Sequence, residues 1–114
     1  MNGKLNEDQI CFLNKCLDEY GINVKWVGRQ YIKDIVEAIT FDNSLLVSLN
    51  TQVYPNIAKK YKTRPVNIEK SIRNAILKST YTDQKGISNK TLILDLVERL
   101  RLFSNEKRKG KLTK

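Results

Sequence analysis

An all-α fold of about five helices, with a helix-turn-helix among them, follows from three features of this 114-residue sequence. Apolar residues recur at helical spacing in several separate stretches, and recognisable capping residues precede them. The single alternating segment, Ile22, Val24 and Trp26, has no second segment to pair with, so it reads as an extended linker rather than a strand.

The first helix opens at Asn6 with Gln9 three positions on, a capping-box spacing, and Glu7 and Asp8 suit the positive helix end. Ile10, Leu13, Leu17 and Tyr20 form one stripe, and Gly21 supplies a left-handed stop. A second helix over about residues 29–40 is marked by Ile32, Ile35, Val36 and Ile39. Leu45, Leu46 and Leu49 suggest a short helical segment. A third helix buries Tyr54, Ile57, Ala58 and Tyr61 and starts between Asn50 and Tyr54, because Pro55 is tolerated only in a first turn.

Lys62, Thr63 and Arg64 make a very short connection before Pro65 opens a fourth helix with Ile68, Ile72, Ala75 and Ile76 inward. Residues 79–87 lack periodicity and read as a loop. Ser88 caps a last helix carrying Leu92, Ile93, Leu96, Val97, Leu100 and Phe103. The division expected is one helical domain over residues 1–103 and a flexible basic tail over 104–114, which is too charged to fold alone.

Composition narrows the function. The chain has no His, which removes Ser/His, Cys/His and His-ligated metal chemistry. Cys11 and Cys16 lie about 140° apart around a helix and have no partner cluster, so both read as reduced, small apolar residues. No enzyme activity, cofactor or metal is expected. No stretch is apolar enough for a signal peptide or a membrane span, so a cytoplasmic protein is expected.

Charge is uneven. Residues 1–50 carry five Lys/Arg against seven Asp/Glu, a net −2, whereas residues 51–114 carry sixteen against five, a net +11. A polyanion docking on the second half is one reading, and a solvated basic surface is the other.

The fourth helix favours the first. Its outward face presents Asn67, Lys70, Arg73, Asn74 and, at its edge, Glu69. Lys and Arg donate to guanine O6 and N7, Asn pairs with adenine N6 and N7, and Glu accepts from cytosine N4 in the major groove. Lys59, Lys60, Lys62, Arg64 and Lys78 surround that stripe where phosphates flank an inserted helix. The plainer reading is that Glu69 and Arg73, at i and i+4, form a surface ion pair. Tyr54 and Tyr61 share the stripe of Ile57 and Ala58 and read as core residues.

The run Val53-Tyr54-Pro55-Asn56-Ile57-Ala58-Lys59-Lys60-Tyr61 is similar to Leu-Tyr-Pro-x-Ile-Ala-Lys-Lys-Phe, a run in the C-terminal effector domain of the sporulation initiation response regulator family (stage zero sporulation protein A). Ile68-Glu69-Lys70-Ser71-Ile72-Arg73-Asn74-Ala75-Ile76 resembles that family's Val-Glu-Arg-Ala-Ile-Arg-His-Ala-Ile. Gly28-Arg29-Gln30-Tyr31-Ile32 and Leu100-Arg101-Leu102 extend the likeness over about 75 residues.

The resemblance implies a helical domain that binds a short DNA box through its fourth helix, often as a tandem pair, and contacts RNA polymerase. On matching positions, Glu69, Lys70, Arg73 and Asn74 would read bases, while Lys59, Lys60, Thr63, Arg64 and Asn67 would hold phosphates. Lys70 stands where the family has Arg, and Asn74 where it has His, which points to an altered box. The segment before the last helix is shorter than in the family. No receiver domain precedes this one, so phosphorylation-controlled dimerisation is not expected. A sequence-specific transcription regulator is thus expected, the alternatives being a plasmid or conjugative-element accessory protein and an antagonist pairing with a full-length regulator.

Overall fold

The computed structural model describes residues 3–79 and 87–112, with side chains as far as Glu106 in the last helix. It contains α1 (Glu7–Glu19), α2 (Val27–Phe41), α3 (Tyr54–Lys60), α4 (Pro65–Lys78) and α5 (Asn89–Leu112), with no strand among the described residues. Between α2 and α3 lie a 3-10 segment, Asn43–Ser48, and a π-helical turn, Leu49–Val53. Residues 80–86, most of the stretch read as a loop, lie outside the described residues.

The capping residues act as their chemistry requires. Asn6 Oδ1 accepts from the Gln9 amide at 2.8 Å, and Gln9 Oε1 accepts from the Asn6 amide at 2.9 Å, closing the box at the start of α1. At the other end of α1, Gly21 is left-handed with φ 76°, and the Ile22 amide reaches back to the Leu17 carbonyl at 3.0 Å. That is a Schellman stop, which reverses the chain toward α2. Ser88 Oγ accepts from the Thr91 amide at 3.1 Å at the start of α5.

One core serves all five helices. α2 packs on both α4 and α5, and Ile32, Ile35, Val36 and Ile39 of α2 share one buried core with Ile68 and Ile72 of α4 and Leu92, Ile93 and Leu96 of α5. Truncating a side chain such as Ile72 to Ala would cost about 2–5 kcal/mol. α1 closes the far side of α5, where the Phe12 and Phe103 rings stack at 4.4 Å and 13°. Cys16 is buried and Cys11 exposed, and both are free thiols. Tyr54 is buried, as its stripe predicts, and Tyr61 is half-buried with its ring edge on Tyr31 at 5.1 Å.

Two boundaries differ from the sequence expectation. α2 begins at Val27, two residues early, because Trp26 takes an extended N-cap conformation without needing a side-chain cap. The second is α5, whose backbone runs helical to Leu112, where the sequence places a basic tail from Ser104. A helix already nucleated and packed extends at little cost through Lys, Arg, Glu and Leu, and cations are favourable at its carboxyl end.

A buried arginine joins α1 to α2. Arg29 is 5% exposed, and its Nη1 donates to Asp18 Oδ1 and to the Ile22 carbonyl, both at 2.7 Å. Its Nη2 reaches the Asn14 carbonyl and side-chain oxygens at 3.3 Å. One guanidinium thus satisfies the reversal between the helices, which a shorter or single-donor side chain could not do.

Candidate nucleic-acid interface

α3 and α4 are the helix-turn-helix, and the turn between them is built by backbone chemistry. The Thr63 amide donates to the Ala58 carbonyl at 2.9 Å and the Lys62 amide to the Lys59 carbonyl at 3.3 Å. This is the same Schellman pattern as at Gly21, but the left-handed residue here is Lys62, φ 55°. A Cβ in that region is strained by roughly 1–2 kcal/mol. The turn therefore holds a cation where glycine would be easier.

α4 divides cleanly into two faces. Ile68, Ile72, Ala75 and Ile76 are buried, while Asn67, Lys70, Arg73 and Asn74 are exposed on the opposite side. Glu69 is half-buried at the margin, with Oε1 3.4 Å from Arg73 Nη2. That separation exceeds a strong charge-assisted hydrogen bond, and both groups are partly solvated, so the pair contributes only a few tenths of a kcal/mol. Arg73 is accordingly displaceable by a stronger acceptor.

The expected phosphate ligands gather at the amino end of α4, with one exception. Lys59 is exposed on the last turn of α3, and Lys60 follows with its Nζ 3.2 Å from Asp34 Oδ2. Asp34 also accepts from the Tyr61 hydroxyl, so Lys60 helps tie α3 to α2 as well as facing solvent. Burial and that carboxylate push the Tyr61 phenol up to about 12. Thr63 Oγ1 accepts from Asn67 Nδ2 at 3.0 Å, which steadies the first turn of α4. Arg64 is the N-cap residue and gives no side-chain cap, and α4 has no acidic residue in its first turn. Lys78 is the exception, about 20 Å away along the helix, with its Nζ 5.9 Å from the centre of the Trp26 ring.

Two structural contacts that hold α4 have no sequence signal of their own. A Cβ added at Gly28 would lie 2.4 Å from the Ser71 carbonyl oxygen, so α2 and α4 touch backbone to backbone there. Asn89, the first residue of α5, donates from Nδ2 to the Glu69 carbonyl at 3.1 Å and to the Tyr54 hydroxyl at 3.4 Å. Beside it opens a groove of about 450 Å³ between α4, α5 and the 3-10 segment, lined by Val47, Tyr54, Glu69, Arg73, Asn89 and Lys90 among others.

Among the described residues no group of acids and cysteines could hold a metal, and no helix is long and apolar enough to cross a membrane. The family described as sporulation initiation factor Spo0A C terminal matches residues 13–102. That stretch runs from within α1 to within α5 and contains the whole helix-turn-helix. The chain therefore belongs to the Spo0A C-terminal family, the DNA-binding effector domains of sporulation regulators.

Proposed function

We propose that this domain reads duplex DNA sequence-specifically by laying α4 in the major groove. The carrying observation is the division of α4, with four apolar side chains buried and Asn67, Lys70, Arg73 and Asn74 exposed together beside a basic turn. Lys70, Arg73, Asn74 and Glu69 are the base readers in this reading. Lys59, Lys60, Lys62, Thr63, Arg64 and Asn67 take phosphates at one end, and Lys78 takes one at the other. The uncapped amino end of α4, free of acids, supports an anion there. Contact with RNA polymerase and pairing on tandem boxes belong to the same reading, and the family membership supports them.

Competitive binding at about 150 mM salt tests it, using the family's box, duplexes selected from a random library and a scrambled duplex of equal length. A selected sequence should outcompete the scrambled one by more than about a hundredfold. Arg73→Ala should then cost roughly 1–3 kcal/mol on that sequence and relax one position, whereas Lys59→Ala should weaken every duplex alike. Equal loss on all duplexes for Arg73→Ala would refute the reader assignment.

A further inference from the structure

We infer that Asn89 is a positioning residue for base recognition, fixing the turn of α4 that carries Glu69 and Arg73. The inference rests on the proposed reading role of α4.

The geometry is specific. The Glu69 carbonyl points to α5, where the Asn89 side-chain amide donates to it at 3.1 Å, while the same amide reaches the Tyr54 hydroxyl of α3 at 3.4 Å. One short, half-buried side chain thus links three helices at a single point. That point lies on the wall of the groove shared by Glu69 and Arg73.

The other contacts that hold α4 lie elsewhere. Gly28 meets Ser71 on the α2 side, and the Lys62 turn fixes the amino end. Core packing of Ile68 and Ile72 sets the rotation of α4 as a whole, and the Asn89 amide adds the directional polar contact from α5 at Glu69. Because Arg73 sits one helical turn beyond Glu69, a small roll at this carbonyl moves both side chains across the face of a base pair. Base contacts tolerate little displacement, whereas phosphate contacts by flexible lysines follow the backbone. Loss of the Asn89 contact should therefore act on discrimination rather than on general affinity.

Asn89→Ala and the isosteric Asn89→Asp, which cannot donate, are compared with the parent chain. The probes are a duplex selected by the parent chain from a random library, its full set of single-base-pair substitutions, and a scrambled duplex, with melting by circular dichroism run in parallel. Asn89→Ala should bind the scrambled duplex within about twofold of the parent and Asn89→Asp, which adds a negative charge, more weakly, yet both should lose about tenfold discrimination at the base pairs where Arg73→Ala also acts. An unchanged substitution profile in the variants would overturn the inference, even if their melting temperature fell. If Asn89→Ala does not fold, Asn89→Asp decides by the same criterion. A parent chain that selects no sequence would instead overturn the reader assignment, and this inference with it.

Discussion

The backbone of α4 approaches Gly28 so closely that a single added carbon would sit 2.4 Å from the Ser71 carbonyl oxygen and 3.0 Å from Ala75 Cβ. Alanine would ordinarily favour a helix by up to about 1 kcal/mol over glycine. Here the obstructing atom is backbone, which cannot swing aside, so α2 and α4 must separate. Gly28→Ala should destabilise by about 1–3 kcal/mol. Urea unfolding should show a lower midpoint with an unchanged slope. A gain in stability would mean that the helices part without cost.

Lys62 offers the opposite case. Its left-handed φ of 55° is the conformation that Gly21 adopts at the equivalent place after α1. Relief of strain favours glycine, while the freer unfolded chain opposes it by about 0.4–1 kcal/mol, so Lys62→Gly should stabilise by roughly 0.5–1 kcal/mol. If Lys62 holds a phosphate, the same variant should bind all duplexes more weakly and lower the salt slope by about 1. A slope identical to the parent's would remove Lys62 from the phosphate set.

Arg29 counts toward the basic total of the sequence, but its charge is internal. Replacement by Met keeps the apolar stem and strands the buried Ile22 carbonyl, a loss of about 1–3 kcal/mol. Asp18, with its side chain 70% exposed, returns to water at little cost. Arg29→Met should lower the melting temperature and leave the salt slope of DNA binding untouched. A slope reduced by about 1 would place the guanidinium on DNA.

Alkaline pH should expose the Tyr61 contact. Its phenol is held up to about 12 by burial and by the Asp34 carboxylate that accepts its proton. A raised pKa stabilises the protonated folded form, so the contribution is complete below the ordinary value of about 10 and is lost as pH climbs toward 12. The melting temperature should fall over that window. Tyr61→Phe should begin lower and fall less, and parallel curves for the two proteins would show that the phenol contributes nothing.

Legibility in the sequence followed the range of the interaction. Asn6 with Gln9, Gly21 and Ser88 could be read because a cap and its partner lie within five residues. The two faces of α4 were equally plain, since burial of Ile68, Ile72 and Ile76 obliges the remaining positions to face water. What escaped were contacts between distant residues. Asn89 is twenty positions from Glu69, and nothing local to either reveals that α5 begins against the α4 backbone. Gly28 looks like an ordinary helix start until Ser71 is placed against it. Arg29 is charged, and only the α1–α2 reversal makes it internal. The helical backbone of α5 runs to Leu112 because a packed helix extends by propagation, whereas composition weighs only charge.

The loose Glu69–Arg73 pair makes a final prediction with two opposed signs. At 3.4 Å and partly solvated, it contributes only a few tenths of a kcal/mol, so Glu69→Gln should leave the melting temperature nearly unchanged. The substitution removes a negative charge from a face proposed to meet phosphates, and binding to scrambled duplex should strengthen. Glutamine carries an amide donor beside its remaining acceptor, so it does not favour cytosine N4 as a carboxylate does, and preference at one base pair should fall by about 1–3 kcal/mol. The two effects separate in a substitution scan, because tighter binding to every duplex raises the baseline while the preference at one position collapses. A variant that gains affinity and keeps its full profile would show that Glu69 reads no base.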